Sequence, residues 1–367
     1  MQLLNAWYAV ALASGLQPDQ PLTVHLHGQA LVLWRGADGA PLAAQDRCPH
    51  KGASLGRGCL VEGRLRCGYH GWSFNQQGEC VEIPANRQGM SIPHRAHLRP
   101  YPCQEGHGFV WVWWHQQADL DPSTVPPVPP IEHVPAAQDP GWRTMEGTAV
   151  WSAHWLRILE GFIDLTHVPY VHKSTFGGAA ADELYPAEES ATADSLYALI
   201  DTPRDRHYRS DQGGNPLSRL KRTLLGSGHP EDEPGGADPA PDQPADGADA
   251  APAGVQHLNL WMANFLLIRV VFKDFSIYLC LIPVPLGDGR TQLLWRHFRS
   301  FLRSPLADGA ALKRVHRFLE EDKVIVESMQ PFEPDLDGRE DLLLASDSMT
   351  LGLRKLLRAK REAGLVR

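Results

Sequence analysis

Two pairs of cysteine and histidine residues have the types and spacing of a metal site. Cys48 and His50 form the first pair, and Cys67 and His70 form the second after an interval of sixteen residues. Two thiolates and two imidazoles can bind one tetrahedral zinc ion or divide over the two irons of a [2Fe-2S] centre. Zinc sites usually use Cys-x2-4-Cys pairs, whereas each loop here supplies one cysteine and one histidine. The pattern favours a [2Fe-2S] cluster, with zinc as the alternative.

A second set of candidate metal ligands lies in the C-terminal half of the chain. His167 and His172 are five residues apart and have Pro169 between them. Five residues place two side chains about 140° apart around an ideal helix, so the imidazoles can converge only where the helix breaks. Proline breaks or kinks a helix and is expected to supply that bend. Two histidines leave a mononuclear metal ion short of one carboxylate.

The missing carboxylate is expected on a later helix that carries three consecutive acids, residues 320–322. At about 100° per residue, Asp322 shares the apolar stripe of this helix, whereas Glu320 lies on the opposite side. A buried carboxylate needs a charged partner or a metal ion. Two histidines and one carboxylate form the facial triad of non-haem Fe(II) oxygenases, which leaves positions open for dioxygen. We therefore predict that His167, His172 and Asp322 bind a mononuclear iron.

The first set of residues resembles the Rieske iron-sulfur motif, Cys-x-His followed after a similar interval by Cys-x2-His. Gly52, Gly71 and Trp72 also match residues that flank this motif. High-potential Rieske proteins of respiratory complexes carry an extra cysteine in each loop, joined as a disulfide. Ala53 and Tyr69 stand at the corresponding positions here. The resemblance therefore implies the low-potential branch, which supplies electrons to oxygenases.

The second set resembles the catalytic motif of Rieske non-haem iron oxygenases, Asp-x2-His-x4-His. Residues Asp164–His172 read Asp-Leu-Thr-His-Val-Pro-Tyr-Val-His. The resemblance extends from Trp7 and Tyr8 to the helix that bears Asp322. The chain is similar to a catalytic (alpha) subunit of the alpha-only type, as in vanillate-type O-demethylases and chlorophyllide-type ring oxygenases. It departs from many members at Glu160 or Gly161, where they have asparagine.

The resemblance implies an oxygenase that uses O2 to hydroxylate or demethylate a hydrophobic, ring-containing small molecule. Electrons from NAD(P)H would pass through a flavin reductase, a ferredoxin or both to the cluster and then to the mononuclear Fe(II). The family also implies a head-to-tail homotrimer, with His70 of one subunit beside the iron site of its neighbour. Asp164 matches the acid that bridges a cluster histidine and an iron-binding histidine. The alternative is a Rieske electron-transfer protein without oxygenase chemistry.

Two domains are expected to position these residues, which makes the fold class α+β. Residues 1–120 are predicted to form an all-β Rieske domain, because short apolar strands alternate with glycine-containing turns. Residues 121–135 include six prolines and are predicted to be an extended connector. Residues 136–367 would form the catalytic domain, for which the resemblance implies a START-like, helix-grip form. Within it, residues 226–254 are predicted to be a mobile insertion because they are rich in proline, glycine and acids.

Apolar periodicity sets the predicted bounds of the main elements. A helix is predicted from Trp151 to near Pro169 and another from about Leu312 to Met329. The residues from Leu258 to Ile282 and from Gln292 to Phe298 are predicted to be long strands of one sheet. The strands predicted in the first domain are Leu22–Leu26, Ala30–Arg35, Pro41–Gln45, Leu65–Cys67, Trp72–Asn75 and Phe109–Trp114.

The composition excludes several other classes of protein. The 367 residues include 35 lysines and arginines against 43 acids, so a basic surface for nucleic acid is not expected. No apolar stretch reaches the roughly 20 residues of a membrane span, and no basic residue precedes the short N-terminal apolar run. A cytoplasmic protein is therefore expected. Six cysteines are too sparse for a disulfide scaffold, and those outside the motif are predicted to be ordinary thiols.

Overall fold

Two structural units follow one another along the described part of the chain. The computed structural model describes residues 1–117, 120–164, 166–172, 187–202 and 254–367. The first unit consists of strands joined by turns and short 3-10 segments, and the second is a sheet with helices on one side. Of the predicted mobile insertion, only Gly254 lies within the described residues. No helix in the described ranges is long and apolar enough to cross a membrane.

Small antiparallel sheets make up the N-terminal unit. Its strands are β1 (Ala6–Leu12), β2 (Leu22–Leu26), β3 (Gln29–Arg35), β4 (Pro41–Gln45), β5 (Cys59–Val61), β6 (Arg64–Arg66), β7 (Ser73–Phe74), β8 (Cys80–Glu82), β9 (Pro100–Tyr101), β10 (Cys103–Gly106) and β11 (Phe109–Trp114). They pair in the orders β1-β11-β10, β2-β3-β4-β9 and β5-β6-β7-β8. The two Cys/His loops follow β4 and β6, so each begins at the end of a paired strand.

One antiparallel sheet and its covering helices make up the C-terminal unit. The strands are β12 (Arg143–Trp151), β13 (Ala187–Ala191), β14 (Ser195–Thr202), β15 (Gly254–Trp261), β16 (Phe265–Val271), β17 (Ser276–Pro285) and β18 (Thr291–Arg299). Their order among the described residues is β12-β18-β17-β16-β15-β14-β13. The helices are α1 (Trp155–Ile163), α2 (Val168–Val171), α3 (Asp308–Val326) and α4 (Ser348–Glu362).

The two faces of this sheet have different partners. On one face, the Trp295 ring contacts His316 of α3 with ring centroids 5.8 Å apart. On the other face, Phe265 stacks on Trp111 of the N-terminal unit, with ring centroids 5.4 Å apart. Side chains alternate between faces along each strand, so both faces carry apolar residues. Covering the sheet from both sides creates one apolar core that extends through both units.

The observed architecture agrees with the predicted all-β domain followed by an α+β domain, but some boundaries differ. Trp151 is the last residue of strand β12 rather than the first residue of a helix. Helix α1 begins at Trp155 and ends at Ile163, well before Pro169. The predicted long strand from residue 258 to 282 is three strands joined by turns. Strand β1 was not predicted, because its run of apolar residues shows no alternation.

Candidate metal centres

The loop after strand β4 is closed by its own backbone. The Cys48 amide donates to the Ala53 carbonyl at 2.8 Å, and the Gly52 amide donates to the Cys48 carbonyl at 2.9 Å. Gly52 has a φ of +76°, a conformation that glycine adopts without a steric penalty. Asp46, at the start of the loop, accepts hydrogen bonds from the amides of Leu55 and Gly56 at 2.5 and 2.8 Å. This anchoring carboxylate was not identified from the sequence.

The loop after strand β6 repeats the same closure. The Cys67 amide donates to the Trp72 carbonyl at 2.8 Å, and the Gly71 amide donates to the Cys67 carbonyl at 3.0 Å. Gly71 has a φ of +73°, which matches the glycine of the first loop. In both loops a cysteine begins the turn, a left-handed glycine lies four residues later and the histidine lies between them. The two loops therefore hold their cysteine and histidine at equivalent positions.

Burial separates the thiols from the imidazoles of these loops. Cys48 and Cys67 are each 2% exposed, whereas His50 and His70 are exposed at the surface. The two imidazole rings contact each other with centroids 4.5 Å apart, and Trp72 stacks on His50. Burial, with a smaller contribution from the nearby Cys67, raises the pKa of Cys48 to about 11. Thiolates in such a core need a positive charge beside them, which a bound metal ion would supply.

The donor atoms of the two loops do not form a site for one ion. Donor atoms around a tetrahedral zinc ion lie only about 3.3 to 3.8 Å apart. Across the described ranges, only His167, His172 and Asp322 form a set of three or more His, Cys, Asp or Glu whose donors all lie within 4.8 Å of one another. The loop residues are spread more widely than that. Their arrangement fits a cluster with buried thiolates on one side and exposed imidazoles on the other, and it disfavours zinc.

The second set of predicted ligands converges between helices. Nε2 of His172 lies 3.0 Å from Oδ1 of Asp322, and Nε2 of His167 lies 3.4 Å from the same oxygen. The two Nε2 atoms are 3.3 Å apart. His172 is fully buried and Asp322 is 5% exposed. The structure therefore brings together all three residues predicted for the mononuclear centre.

Local structure explains how the two histidines meet. Helix α1 ends at Ile163, and Asp164 follows it with extended backbone at ψ 127°. The chain then re-enters a helical turn, α2, with Pro169 in its first turn. Proline is tolerated there because the first helical amides have no intrahelical partner. The break predicted at Pro169 therefore lies at Asp164, five residues earlier.

The site fits a metal ion because each of the three side chains directs one donor atom toward the other two. Oδ2 of Asp322 and Nδ1 of His167 are buried and have no hydrogen-bond partner in the described structure. Burial opposes ionisation of Asp322, yet the two imidazoles lower the pKa of this carboxyl below its usual value. Burial also opposes protonation of His172, yet Asp322 and Glu321 raise the pKa of this imidazole. The donor set of two nitrogens and one carboxylate oxygen suits Fe(II).

A further carboxylate supports one of the histidines from behind. Oε2 of Glu321 lies 3.0 Å from Nδ1 of His172, the ring nitrogen that points away from Asp322. A carboxylate at this position fixes the orientation of a metal-binding imidazole and increases its basicity. The apolar-stripe argument selected Asp322 and overlooked Glu321. The position of Glu321 next to Asp322 is the sequence signal that could have identified it. The two adjacent acids contact different ring nitrogens of His172.

Asp164 lies beside the other histidine. Its Oδ1 accepts hydrogen bonds from the amide and hydroxyl of Thr166, each at 2.7 Å. Its Oδ2 lies 3.8 Å from Nδ1 of His167, beyond hydrogen-bond distance. The side chain is 30% exposed, so the carboxylate also faces the surface. Asp164 therefore lies beside His167 and has one side open to solvent.

Helices α1 and α3 approach closely where they carry these residues. A Cβ atom on Gly161 would lie 3.1 Å from Cγ2 of Val326, so glycine permits this approach. Glu160, the neighbouring residue, points elsewhere and forms ion pairs with Arg157 at 3.1 Å and Arg354 at 2.6 Å. The contact with Arg354 joins α1 to α4. Neither Glu160 nor Gly161 contributes a donor atom to the candidate iron site.

A β domain with two Cys/His loops is followed by a helix-covered sheet beside which two histidines and an aspartate converge. Residues 6–102 match the Rieske [2Fe-2S] domain model. Residues 151–211 and 239–363 match the model of the vanillate O-demethylase oxygenase C-terminal domain. The chain therefore belongs to the family of Rieske oxygenases whose catalytic domain is of the vanillate O-demethylase type.

Individual relatives agree with this assignment. The chain is 33% identical over 180 residues to a vanillate O-demethylase oxygenase subunit of Pseudomonas sp. (strain HR199 / DSM 7063), covering 49% of this chain and 48% of the relative. It is 31% identical over 229 residues to the dicamba O-demethylase oxygenase component of Stenotrophomonas maltophilia, covering 62% of each. The chain spans about half the length of the first curated relatives it matches.

Solved structures show the same fold along nearly the whole chain. The structure of dicamba monooxygenase bound to dicamba superimposes with a TM-score of 0.73 at 22% identity, covering 98% of both chains. A mutant of Pseudomonas putida NdmA with theobromine superimposes with a TM-score of 0.74 at 21% identity, covering 97% of this chain and 90% of that one. At these identities the similarity establishes the fold.

Proposed function

We propose that this protein is the oxygenase component of a Rieske system that hydroxylates or demethylates a ring-containing small molecule. The observation that carries this proposal is the convergence of His167, His172 and Asp322 within 4.8 Å of one another, in a chain that also has two matched Cys/His loops. An electron carrier needs only the loops. A complete triad in the same chain favours oxygen chemistry over the electron-transfer alternative.

The loop residues would hold the [2Fe-2S] cluster. Cys48 and Cys67 would bind one iron inside the domain, and His50 and His70 would bind the other at the surface. The bound cluster supplies single electrons. The exposed position of both imidazoles would let a reductase or ferredoxin approach the cluster without opening the fold. We propose that such a partner draws its electrons from NAD(P)H.

The triad would hold a mononuclear Fe(II). This ion supplies a centre at which O2 is activated when electrons arrive. Glu321 would orient the His172 ring by accepting a hydrogen bond from its Nδ1–H, because Oε2 and Nδ1 lie 3.0 Å apart. The burial of His172 and Asp322 keeps bulk water away from two of the three ligands. The residues of this chain would therefore orient the metal ligands and exclude water, and the partner protein would supply the electrons.

The assembly we propose is a head-to-tail homotrimer. The cluster histidines lie at the surface, and Asp164 has one oxygen toward His167 and an exposed side. Tyr69 and Tyr170 lie next to the two centres and are 63% and 70% exposed, respectively. Each tyrosine would add a large ring to a contact between the two surfaces. In such a trimer, Asp164 would bridge His167 and a cluster histidine of the neighbouring subunit.

Metal content of variants tests this proposal. Anaerobically purified protein should contain about three irons and two acid-labile sulfides per chain. Asp322→Ala should lose about one iron and keep the sulfide and the visible spectrum of the cluster, because only one buried ligand is removed. Glu320→Ala, an exposed neighbour on the same helix, is the control and should keep all three irons. Unchanged iron in Asp322→Ala would exclude the triad.

Turnover completes the test of the reaction class. With a reductase and NAD(P)H, the loaded enzyme should consume O2 with a panel of methoxylated ring compounds and give products whose masses show hydroxylation or loss of a methyl group. Asp322→Ala should give neither. Two irons and two sulfides in the parent protein, unchanged after Fe(II) is added, would instead support the electron-transfer alternative.

A further inference from the structure

Arg269 lies in strand β16, on the face of the sheet that packs against the N-terminal unit. Phe265 of the same strand stacks on Trp111 of that unit. Because side chains alternate along a strand, Arg269, four residues later, points to the same face as Phe265. Helix α3, which carries Asp322, packs on the opposite face, where Trp295 contacts it. The sheet therefore separates Arg269 from the candidate iron site.

Arg269 differs from the other buried arginines because it has no acidic partner. The structure buries five arginines within the described ranges, and Arg269 is one of them, at 7% exposure. The other four each form an ion pair with a carboxylate at 2.6 to 3.1 Å; these are Arg157, Arg296, Arg299 and Arg354. Arg269 forms no ion pair with any described residue, and its Nε is buried without a hydrogen-bond partner there. A buried charge without a partner is strongly unfavourable, so Arg269 indicates a counter-charge that the described residues do not supply.

Neither carboxylate that the structure describes on this face of the sheet reaches Arg269. Glu146 of β12 points to the same face, but it is paired with Arg296 at 3.0 Å. Glu188 of β13 lies in the same row as Arg269 but three strands away, which is about 14 Å at ordinary strand spacing. Both carboxylates therefore leave the charge of Arg269 without compensation.

Aromatic and polar side chains border Arg269 on the neighbouring strands. Its guanidinium carbon lies 5.9 Å from the ring centroid of Tyr278, its cross-strand partner on β17. The ring of Trp142 packs on Tyr278 with centroids 4.4 Å apart, and both rings are partly exposed. On the other side, His257 of β15 pairs with Arg269, and its Nδ1 lies 2.9 Å from the hydroxyl of Tyr197. The guanidinium therefore lies between an aromatic pair and a hydrogen-bonded pair, and the aromatic pair reaches the surface.

Asn259 places a second unpaired polar atom next to Arg269. It lies on β15, two residues after His257, and is therefore diagonal to Arg269 on the same face. Its Oδ1 is buried and has no hydrogen-bond partner in the described structure. Diagonal neighbours in a sheet are about 7–8 Å apart, a distance that one small ligand spans. A water molecule between the two side chains would complete their hydrogen bonds, but it would leave the positive charge of Arg269 without compensation.

We propose that Arg269 and Asn259 bind a small carboxylate that compensates the buried charge. The planar guanidinium would donate through Nε–H and one Nη–H to the two carboxylate oxygens, a geometry that suits a carboxylate better than a spherical anion. Asn259 would donate from its NH2 group after a half-turn of its amide, which exchanges two ends of nearly equal shape. The carbon chain of the ligand would lie against Tyr278, toward the partly exposed Trp142.

This site goes beyond the proposed oxygenase function, because the sheet lies between it and the candidate iron ligands. Its occupant would not be oxidised. A ligand that binds only the folded protein stabilises it, and the gain rises with the ligand concentration. The carboxylate would therefore stabilise the sheet where β15, β16 and β17 meet, since these strands carry Asn259, Arg269 and Tyr278.

Binding of radiolabelled acetate to the holoprotein tests the proposal directly. Equilibrium dialysis in a chloride buffer should show about one acetate per chain of the parent protein. Arg269→Met removes the guanidinium and should bind acetate roughly 10-fold more weakly or worse. Arg269→Lys keeps the charge without the planar fork and should weaken binding by about threefold or more. Arg95→Met, which changes an exposed arginine of the N-terminal unit, is the matched control and should bind like the parent. A parent protein that binds no acetate, or equal binding by Arg269→Met, would overturn the site.

Thermal stability distinguishes a ligand site from a packing role of Arg269. In sodium acetate the parent should melt roughly 2 °C or more above its value in sodium chloride of the same concentration. Arg269→Met should show no such difference, and in chloride it should be at least as stable as the parent, because it no longer buries an unpaired charge. If Arg269→Met is destabilised equally in both salts, the guanidinium serves packing and the proposal is wrong. An equal gain from acetate in the parent, Arg269→Met and Arg95→Met would be a general salt effect and would also contradict it.

Discussion

At the scale of single residues, the candidate iron site depends on carboxylates that play different parts on one helix. Asp322 faces both histidines, and Glu321 approaches His172 from the opposite ring nitrogen. Glu320 is exposed. Three consecutive acids therefore have three environments, because each step along the helix rotates the side chain by about 100°. The acid that contacts both histidines and the acid that supports one of them are sequence neighbours.

This difference predicts the effect of removing the supporting carboxylate. Glu321→Gln keeps the length of the side chain but removes the charge that favours a strongly basic His172, so we expect Fe(II) affinity to fall roughly 10-fold. Glu321→Ala should lower it by about 10- to 100-fold. The measurement is Fe(II) titration of metal-depleted protein with an intact cluster, and Glu320→Gln is the matched control. An affinity in Glu321→Ala within twofold of the parent would show that the contact has no role in metal binding.

At the scale of elements, the sequence predicted those parts that repeat a simple local pattern. Strands β2, β4 and β11 have the predicted bounds because turn residues flank each apolar run. The start of helix α1 was wrong because Trp151 and Trp155 are four residues apart, a spacing that also occurs when a strand runs into a helix. The pattern alone cannot distinguish these cases, and the pairing of Trp151 with Thr291 decides for the strand.

The candidate ligands stand out in the sequence for a chemical reason, whereas their geometry depends on the fold. Their types and intervals follow from the chemistry of the two metal centres, so Cys48, His50, Cys67 and His70 stand out in the sequence. Other features depend on contacts that leave no periodic pattern, such as the bonds from the amides of Leu55 and Gly56 that anchor Asp46 in the first loop. The close approach of α1 and α3 at Gly161 is another such contact. Long-range contacts leave no periodic signal.

The contact between α1 and α3 allows a test of how elements position the site. Gly161→Leu places a large side chain against Val326, which should lower the free energy of unfolding by about 1–3 kcal/mol. Because α1 leads to His167 and α3 carries Asp322, we also expect loss of the mononuclear iron with retention of the cluster. Val326→Ala in the same chain should restore part of both, as coupled neighbours do. The measurements are chemical denaturation and iron content; additive effects of the two substitutions would contradict direct packing.

At the scale of the whole molecule, one candidate centre lies at the surface and the other is mostly buried. The proposed trimer would bring the two together across a subunit contact. The Cys/His loops present their histidines outward, and the candidate iron ligands lie mostly buried beside the half-buried Asp164 and the exposed Tyr170. Two surfaces that are each incomplete can complement each other between identical subunits when the contact is head-to-tail. A ring of three such contacts closes without leaving either surface open. This geometry would make each complete site a product of two chains.

Complementation between two inactive variants tests this assembly. Cys48→Ser removes a cluster ligand and leaves the triad, whereas Asp322→Ala removes a triad ligand and leaves the loops. Each alone should be inactive in turnover. If the loops of one subunit serve the triad of its neighbour, the two variants co-expressed and purified together as mixed trimers should regain a substantial fraction of the parent rate, because some contacts then join an intact loop pair to an intact triad. Analytical ultracentrifugation verifies the trimer, and the double variant Cys48→Ser/Asp322→Ala, mixed with unmodified protein, controls for dilution. Inactive mixed trimers would place both working centres within a single chain.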